Sequence, residues 1–164
     1  MRTFFTSDTH FGDHRVLNLY PRPFANVTEM DVGLIARWNA VVGRDDEVWH
    51  LGDFARTPAI AAAVLLQLAG RKHLVLGNND PGSQPRGWQS VSPYAQIERD
   101  GVTLVPCHYP FRSCNGQHRR SWDLHGHMEL LLRQADVGVD VGDYTPVSLP
   151  TLMSKGRKRR AVPA

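Results

Sequence analysis

The 164-residue sequence contains only two cysteines, Cys107 and Cys114, and it has no run of about 18 consecutive apolar residues. Two thiols are too few for a disulfide-dense secreted fold, and without the apolar run no transmembrane helix is predicted. The start of the sequence lacks the charged and then apolar order of a signal peptide. We therefore expect a cytoplasmic protein with reduced thiols and no membrane contact. A hydrophobic content of 41% over this length is enough for one domain with a full core.

The formal net charge of +3 comes from the end of the sequence. Residues 151–164 contain no acidic residue and five basic ones, which are Lys155, Arg157, Lys158, Arg159 and Arg160. Residues 1–150 hold the other 14 basic residues against 16 acidic ones, so their formal charge is −2. We expect one domain over 1–150 and a basic, disordered tail over 151–164. The tail is either a solubilising end or a contact for an anionic partner such as a nucleic acid.

Strand and helix patterns alternate along the sequence, which predicts an α/β fold. Helices are predicted over 28–42, with Thr28 as the N-cap, and over 59–68. For the second helix, Thr57 is the expected N-cap and Pro58 occupies the first helical position. Runs rich in aromatic and β-branched residues predict five strands, over 2–7, 47–51, 73–76, 102–107 and 122–124.

Residues that commonly bind metals follow the end of each predicted strand. In open α/β sheets, ligands bind outside the carboxyl ends of the strands, so these side chains are expected on one rim. Aspartate and histidine together suit divalent metals such as Mn, Fe, Zn or Ni. The five blocks are Asp8-Thr9-His10, Gly52-Asp53, Gly77-Asn78-Asn79-Asp80, His108, and His125-Gly126-His127-Met128-Glu129.

As an ordered set, these blocks resemble the calcineurin-like metallophosphoesterase superfamily. The resemblance runs over nearly the whole chain, through SDTHFG at Ser7, VWHLGDFA at Val48, GRKHLVLGN at Gly70 and HGH at His125. It implies the fold of the small bacterial and phage-type members, a four-layer sandwich of two central mixed β-sheets flanked by helices. It also implies a dinuclear-metal phosphodiesterase whose substrate is a phosphate ester, for example a nucleotide or a nucleic-acid end.

The resemblance also assigns roles to individual residues. The first metal would be held by Asp8 and His10, both metals by Asp53, and the second metal by Asn78, His108 and His127. A bridging carboxylate such as Asp53 can hold two cations about 3.5–4 Å apart, and the hydroxide that they activate attacks phosphorus. Asp80 and His125 are expected to orient these ligands without binding a metal themselves.

Glu129 departs from the family pattern, which has a histidine at this position as a ligand of the first metal. As a third carboxylate beside Asp8 and Asp53, Glu129 would make the site harder and less positive. This change favours Mn²⁺, Mg²⁺ or Fe²⁺ over Zn²⁺, and two Mn²⁺ ions are the expected cofactors. In the alternative interpretation, Glu129 only begins a helix over 128–134.

Asn79 is the second departure, because the family most often has a histidine that contacts the phosphate and helps to protonate the leaving oxygen. Asparagine can donate a hydrogen bond to a phosphate but cannot act as a general acid. Loss of such an acid costs a factor of about 10²–10⁴ when the leaving group is poor. His14 or His118 is an alternative source of the proton. Arg112, Tyr109 and His14 are further candidates for substrate contacts.

Two classes of function stay open. The first is a metal-dependent phosphoesterase that acts on phosphodiesters or activated monoesters. The second is a catalytically weak binding or scaffold module with the same fold. The retained ligands favour the enzyme, since a scaffold does not need them, whereas the substitutions at Asn79 and Glu129 favour the module.

Variants of Glu129 separate the ligand interpretation from the helix interpretation. If Glu129 is a ligand, Glu129→Gln should lower the occupancy of the first metal, because the amide carries no charge. Glu129→His should raise the affinity for Zn²⁺ relative to Mn²⁺, because imidazole is the softer donor. Metal titration followed by elemental analysis measures both effects. Unchanged titrations in both variants would mean that Glu129 is only a helix residue.

Overall fold

Two mixed β-sheets and four helices make up the α/β fold in the part of the chain that the structure describes. The structure is a computed structural model, and it describes residues 1–114, 121–126 and 134–159. The strands are β1 (Thr3–Thr6), β2 (Glu47–His50), β3 (Arg71–Val75), β4 (Trp88–Ser92), β5 (Ile97–Arg99), β6 (Val102–Pro106), β7 (Trp122–His125), β8 (Gln134–Asp136) and β9 (Val147–Ser148). The helices are α1 (Val16–Leu19), α2 (Val27–Val41), α3 (Pro58–Leu65) and α4 (Leu149–Arg159).

Parallel pairing brings the carboxyl ends of the central strands together. The first sheet has the order β4-β3-β2-β1-β9, and its strands β1, β2, β3 and β4 are parallel. In the second sheet, β5-β6-β7-β8, the strands β6, β7 and β8 are parallel. A parallel bridge between Ser7 and Gly138 joins the first sheet to the segment after β8. The loops after β1, β2 and β3 therefore lie next to those of the second sheet.

The side chains of β1, β2 and β3 alternate between two hydrophobic cores, because successive residues of a strand point to opposite faces. On one face they pack against α2 and α3, and we call this the helix-side core. On the other face they pack against β6 and β7, which makes an inter-sheet core. The helix-side core takes Phe4, Val48 and Leu74, and the inter-sheet core takes Phe5, Trp49 and Val75. Burial on both faces explains why these strands carry apolar side chains on each face.

The five predicted strands are confirmed, with ends that differ by one or two residues. For the helices, Thr57 is confirmed as the N-cap of α3, and its side chain accepts a hydrogen bond from the Ile60 N–H. The predicted cap of α2 is wrong, because Asn26 accepts from the Glu29 N–H at 2.9 Å and α2 begins at Val27. Asn26 has the extended backbone that a cap requires, and Thr28 already lies within the first turn.

The predicted disorder of the tail is wrong for residues 151–159, which belong to α4. Leu149 and Leu152 are three positions apart, so they lie on one face of the helix, and both are buried in the inter-sheet core. The expected domain boundary at residue 150 therefore falls inside a helix that packs on the sheets. Residues 160–164 lie outside the described part of the chain. Among the described residues, no helix combines the length and the apolar character needed to cross a membrane.

His50 is a fully buried histidine at the end of β2. The Thr9 hydroxyl donates to the Phe54 carbonyl oxygen, so Thr9 Oγ1 accepts from His50 Nε2 at 2.9 Å. The ring also meets Phe54 edge to face, with centroids 5.0 Å apart. Burial, with small contributions from His10 and His108, lowers the pKa of His50 to about 3. His50 is therefore neutral in the folded protein, as expected of a structural histidine.

A neutral His50 makes the stability depend on pH. The unfolded chain protonates this histidine near pH 6.5, so its contribution is complete above that pH and is lost as the pH falls towards 3. Between pH 8 and pH 5 the free energy of unfolding should fall by about 2 kcal/mol through His50 alone. His50→Gln can still donate to Thr9 but does not titrate, so this part of the loss should disappear.

Urea denaturation at pH 8 and pH 5 measures the effect, with His14→Gln as the control at an exposed histidine. Between pH 8 and pH 5, the free energy of unfolding of this control should fall by as much as that of the unchanged protein. An equal loss in His50→Gln would contradict a neutral, buried His50.

Candidate metal centre

Asp8, His10 and Asp53 converge at the turns that follow β1 and β2. One ligand atom from each lies within 4.8 Å of those of the other two. His10 Nε2 is 3.6 Å from Asp53 Oδ2 and 4.0 Å from Asp8 Oδ1. Both carboxylates are buried, and His10 is only partly exposed. Two carboxylates and one imidazole therefore share a small, largely dry volume.

The backbone at these three positions is strained. Asp8, His10 and Asp53 have φ angles of 57°, 52° and 59°, a left-handed conformation that side chains other than glycine seldom adopt. Such strain costs on the order of 1–3 kcal/mol per residue and persists only where neighbouring contacts enforce it. Here Asp8 N–H donates to the Gly52 carbonyl and His10 N–H to the Asp53 carbonyl. The two turns are thus bonded to each other in the conformation that directs their side chains inward.

Asn79 and Asp80 hold Asp53 from the loop after β3. The Asn79 backbone N–H donates to Asp53 Oδ1 at 2.8 Å, and the Asn79 amide donates to Oδ2 at 2.6 Å. The Asp80 carboxylate accepts three backbone N–H bonds, from Asp53, Phe54 and Gly77. Burial raises the pKa of Asp80, and these three bonds oppose the shift. Asp80 therefore fixes the backbone of the loop that carries Asp53.

Asn78 and His108 supply ligand-type atoms on the other side of Asp53. His108 Nδ1 donates to the Leu51 carbonyl at 2.8 Å, which in the neutral ring leaves the lone pair on Nε2. That nitrogen is 3.0 Å from Asn78 Oδ1 and 3.7 Å from Asp53 Oδ2. Tyr109 hydroxyl donates to the same Asn78 oxygen at 2.8 Å. Atoms with lone pairs thus face one another, an arrangement that a cation between them would stabilise.

Two glycines allow the loops to approach this closely. A Cβ atom at Gly77 would overlap the carboxylate of Asp53, and one at Gly126 would overlap the carboxylate of Asp8 and the hydroxyl of Ser7. The Ser7 hydroxyl itself donates to Asp8 Oδ2 at 2.6 Å. Any side chain at either glycine would have to displace a ligand-type group, so the spacing of the centre depends on both.

The electrostatics of the centre fit a bound cation. Burial raises the pKa of Asp8, reinforced by the carboxylates of Asp53 and Asp136 and opposed by the Ser7 hydrogen bond. Burial likewise lowers the pKa of His10. Two neighbouring buried carboxylates repel each other unless positive charge lies between them. The donor set of carboxylate, amide and imidazole suits hard to intermediate divalent metals.

Arg22 supports the candidate centre, and its place there was not predicted from the sequence. Its side chain is fully buried, and its guanidinium donates to the carbonyl oxygens of Asp8 at 2.7 Å and Thr9 at 3.1 Å. Asp140 neutralises it across 118 positions of sequence, at 2.8 Å. The guanidinium group of Arg22 thereby fixes the strained turn that carries Asp8 and His10. The sequence offers no local signal for the partner of Arg22, because the two residues are so far apart along the chain.

The remaining predicted residues do not all lie at the candidate centre. Tyr109 lies beside Asn78, as described, whereas Arg112 and His14 are exposed. Neither of these two forms a hydrogen bond or ion pair with the described residues. His125 is fully buried at the end of β7. Outside the described residues lie His118, His127 and Glu129.

A cavity of about 360 Å³ opens beside the centre. His10, Asp53 and Asn79 line one side of it, and Arg15 and Arg56 line another. A ligand in this cavity can therefore reach the converging side chains from solvent. Arg15 follows the first ligand pair in the sequence, whereas Arg56 was not among the predicted residues.

Comparison with known proteins gives relatives without an assigned activity. No family model matches the sequence. The chain is 41% identical to the Gene 66 protein of Mycobacterium phage L5, over 87% of this chain and 66% of that protein. Its fold matches the crystal structure of a protein of unknown function from Aquifex aeolicus, AQ665, with a TM-score of 0.78 and 23% identity. The match covers 94% of this chain and 98% of that one, and it shows the fold alone.

A further relative extends over the full length of both proteins. The chain is 30% identical to the uncharacterized protein MJ1445 of Methanocaldococcus jannaschii, and the alignment covers 98% of this chain and 96% of that protein. The chain therefore belongs to the protein family of MJ1445.

Proposed function

We propose that the chain is a metal-dependent phosphoesterase that acts on phosphodiesters. The observation that supports this most directly is the convergence around Asp53 of ligand-type side chains from three separate loops. His10 Nε2, His108 Nε2 and the Asn79 amide all lie within 3.7 Å of Asp53 Oδ2. These loops carry the motifs through which the sequence resembles the calcineurin-like metallophosphoesterases.

The finer fold assignment is part of the same proposal. The two mixed sheets, with α2 and α3 on one face of the first sheet, account for three layers of a four-layer sandwich. The fourth layer would cover the outer face of the second sheet.

The residues of the centre divide naturally between two cations. One would be held by Asp8, His10 and Asp53, and the second by Asp53, Asn78 and His108, with His127 and Glu129 as the remaining proposed ligands. Two divalent ions at such a site supply Lewis-acid polarisation of a phosphoryl oxygen and lower the pKa of water. Mn²⁺ is the proposed metal, because the donors are mainly oxygen and imidazole.

The side chains of this protein would then have separate tasks. Tyr109 holds the Asn78 amide so that its oxygen faces His108. The Asn79 amide donates to Asp53 through one of its two N–H groups. Its second N–H can donate a hydrogen bond to a phosphate oxygen in the cavity. The Asn79 amide does not titrate, so it cannot protonate a leaving group. The proposed enzyme therefore suits esters whose leaving oxygen is stable as an anion.

The scaffold alternative draws on one observation at the same position. The Asn79 amide donates to Asp53, whereas the calcineurin-like enzymes that the sequence resembles most often use a histidine at this position to contact the substrate. A protein that bound metal at this centre without hydrolysing any ester would be such a module. The experiments below separate the two.

Asp53 is the first residue to test, because the proposal gives it to both metals. Asp53→Asn should lose both ions or retain one weakly, since the shared negative charge is gone. Asp8→Asn should empty mainly the first site, and His108→Ala mainly the second. Elemental analysis after dialysis against Mn²⁺ measures the occupancies.

The control for this series is Asp45→Asn, which removes an exposed carboxylate from the turn before β2, at the opposite ends of the strands. Its metal content should equal that of the unchanged protein. Two fully occupied sites in Asp53→Asn would overturn the bridging assignment.

The second prediction tests the absence of a general acid at Asn79. The Mn²⁺-loaded protein should hydrolyse bis(p-nitrophenyl) phosphate and turn over alkyl phosphodiesters much more slowly. Asn79→His should speed the alkyl esters by up to about 10²-fold and the nitrophenyl ester little, because it restores a general acid. Rates over a series of leaving-group pKa values measure the change.

Asn79→Ala is the matched control, since it also releases Asp53 from the amide but adds no acid. A flat dependence on leaving-group pKa in the unchanged protein would mean that another residue supplies the proton. A fully metallated protein that hydrolyses none of the esters would favour the binding module.

A further inference from the structure

Two arginines are held beside the metal centre by one buried carboxylate. Asp13 is almost fully buried, and it accepts from Arg15 Nε at 2.9 Å and from Arg56 Nη1 at 3.2 Å. The side chain of Arg15 remains 56% exposed and that of Arg56 41%. The hydrogen bonds from Arg15 hold the pKa of Asp13 below its usual range. The three groups together carry a net charge of +1.

This group of three is fixed in position relative to the metal centre. The Asp13 N–H donates to the His10 carbonyl, and the Arg56 N–H donates to the Phe11 carbonyl. His10 and Phe11 are in turn bonded through their N–H groups to the loop after β2 that carries Asp53. The arginines therefore extend from the same two loops that carry the candidate metal ligands.

The guanidinium groups retain donors for a ligand. Among the described residues, the Arg15 side chain donates hydrogen bonds only to Asp13, through Nε and Nη2. The Arg56 side chain likewise donates only to Asp13, through Nη1. Both arginines line the cavity of about 360 Å³ that reaches His10, Asp53 and Asn79. This volume exceeds that of one phosphate group.

We propose that Arg15 and Arg56 form an anion subsite that binds a second phosphate group of the substrate, next to the phosphate at the metal centre. Guanidinium groups bind phosphate oxygens through paired, charge-assisted hydrogen bonds, and Asp13 holds both forks in place before a ligand arrives. The preferred substrates are then esters with two neighbouring phosphates. The inference rests on the proposed function for the cleavage itself.

Two kinds of molecule present neighbouring phosphates. In a nucleic-acid strand they are separated by a sugar, as in thymidine 3′,5′-bisphosphate. In a free nucleotide they share an oxygen, as in thymidine 5′-diphosphate. We expect calorimetric titration of the Mn²⁺-loaded protein to measure how much the second phosphate adds to the affinity. Each compound is compared with thymidine 5′-phosphate, which has a single phosphate. The compound that binds more tightly identifies the source.

At least one of the two should bind about tenfold more tightly than thymidine 5′-phosphate, since hydrogen bonds between charged groups typically contribute this much. Arg15→Gln and Arg56→Gln should each reduce that preference, while Arg44→Gln should not. Arg44 is exposed in the turn before β2, at the opposite ends of the strands, and its replacement changes the charge equally. Thermal melting checks that each variant is folded.

The same titrations in EDTA separate this inference from the proposed function. A preference for the second phosphate that survives without metal and depends on the arginines supports the subsite, even if no ester is hydrolysed. Hydrolysis of bis(p-nitrophenyl) phosphate with equal affinity for one and two phosphates overturns the subsite and leaves the phosphoesterase standing. Equal affinities in the unchanged protein overturn it whether or not the variants fold.

Discussion

The charge of the buried Asp53 is the constraint on which the candidate centre depends. A carboxylate in a low-dielectric interior is stable only when donors or cations meet both of its oxygens. Asn79 meets both, and the two histidines approach one of them. The loops after β1, β3 and β6 consequently converge on the loop after β2. The helix-side and inter-sheet cores serve this convergence, because they hold the parallel strands from which those loops leave.

Much of this arrangement could be predicted from the sequence. The strands that lead to Asp8, Asp53 and His108 are short runs with aromatic and β-branched residues, and this composition is typical of strands. The strands β4, β5, β8 and β9 were missed because they are only partly buried. Their pairing is decided by neighbours in the fold and leaves little local pattern.

The supporting contacts were harder to predict than the ligands. Arg22 and Asp140 pair across 118 positions, and nothing near Arg22 in sequence distinguishes it from a surface arginine. The sequence places Arg15 next to the first ligand pair, but no pattern indicates that Arg15 and Arg56 share the carboxylate of Asp13. In the structure, Arg112 of that loop is exposed, whereas Arg15 and Arg56 line the cavity. Motifs locate the residues that carry the chemistry, but only the packing of distant segments identifies what holds them.

The pairing of Arg22 with Asp140 has a consequence for the synthesis of the protein. Arg22 holds the turn of Asp8 and His10, and its own countercharge is made more than a hundred residues later. A nascent chain that has not yet emerged from the ribosome as far as Asp140 contains both residues of that turn but lacks the ion pair that shapes it. Assembly of the candidate centre is thereby delayed until Asp140 has been made, and a nascent chain that stops before Asp140 lacks the ion pair that shapes it.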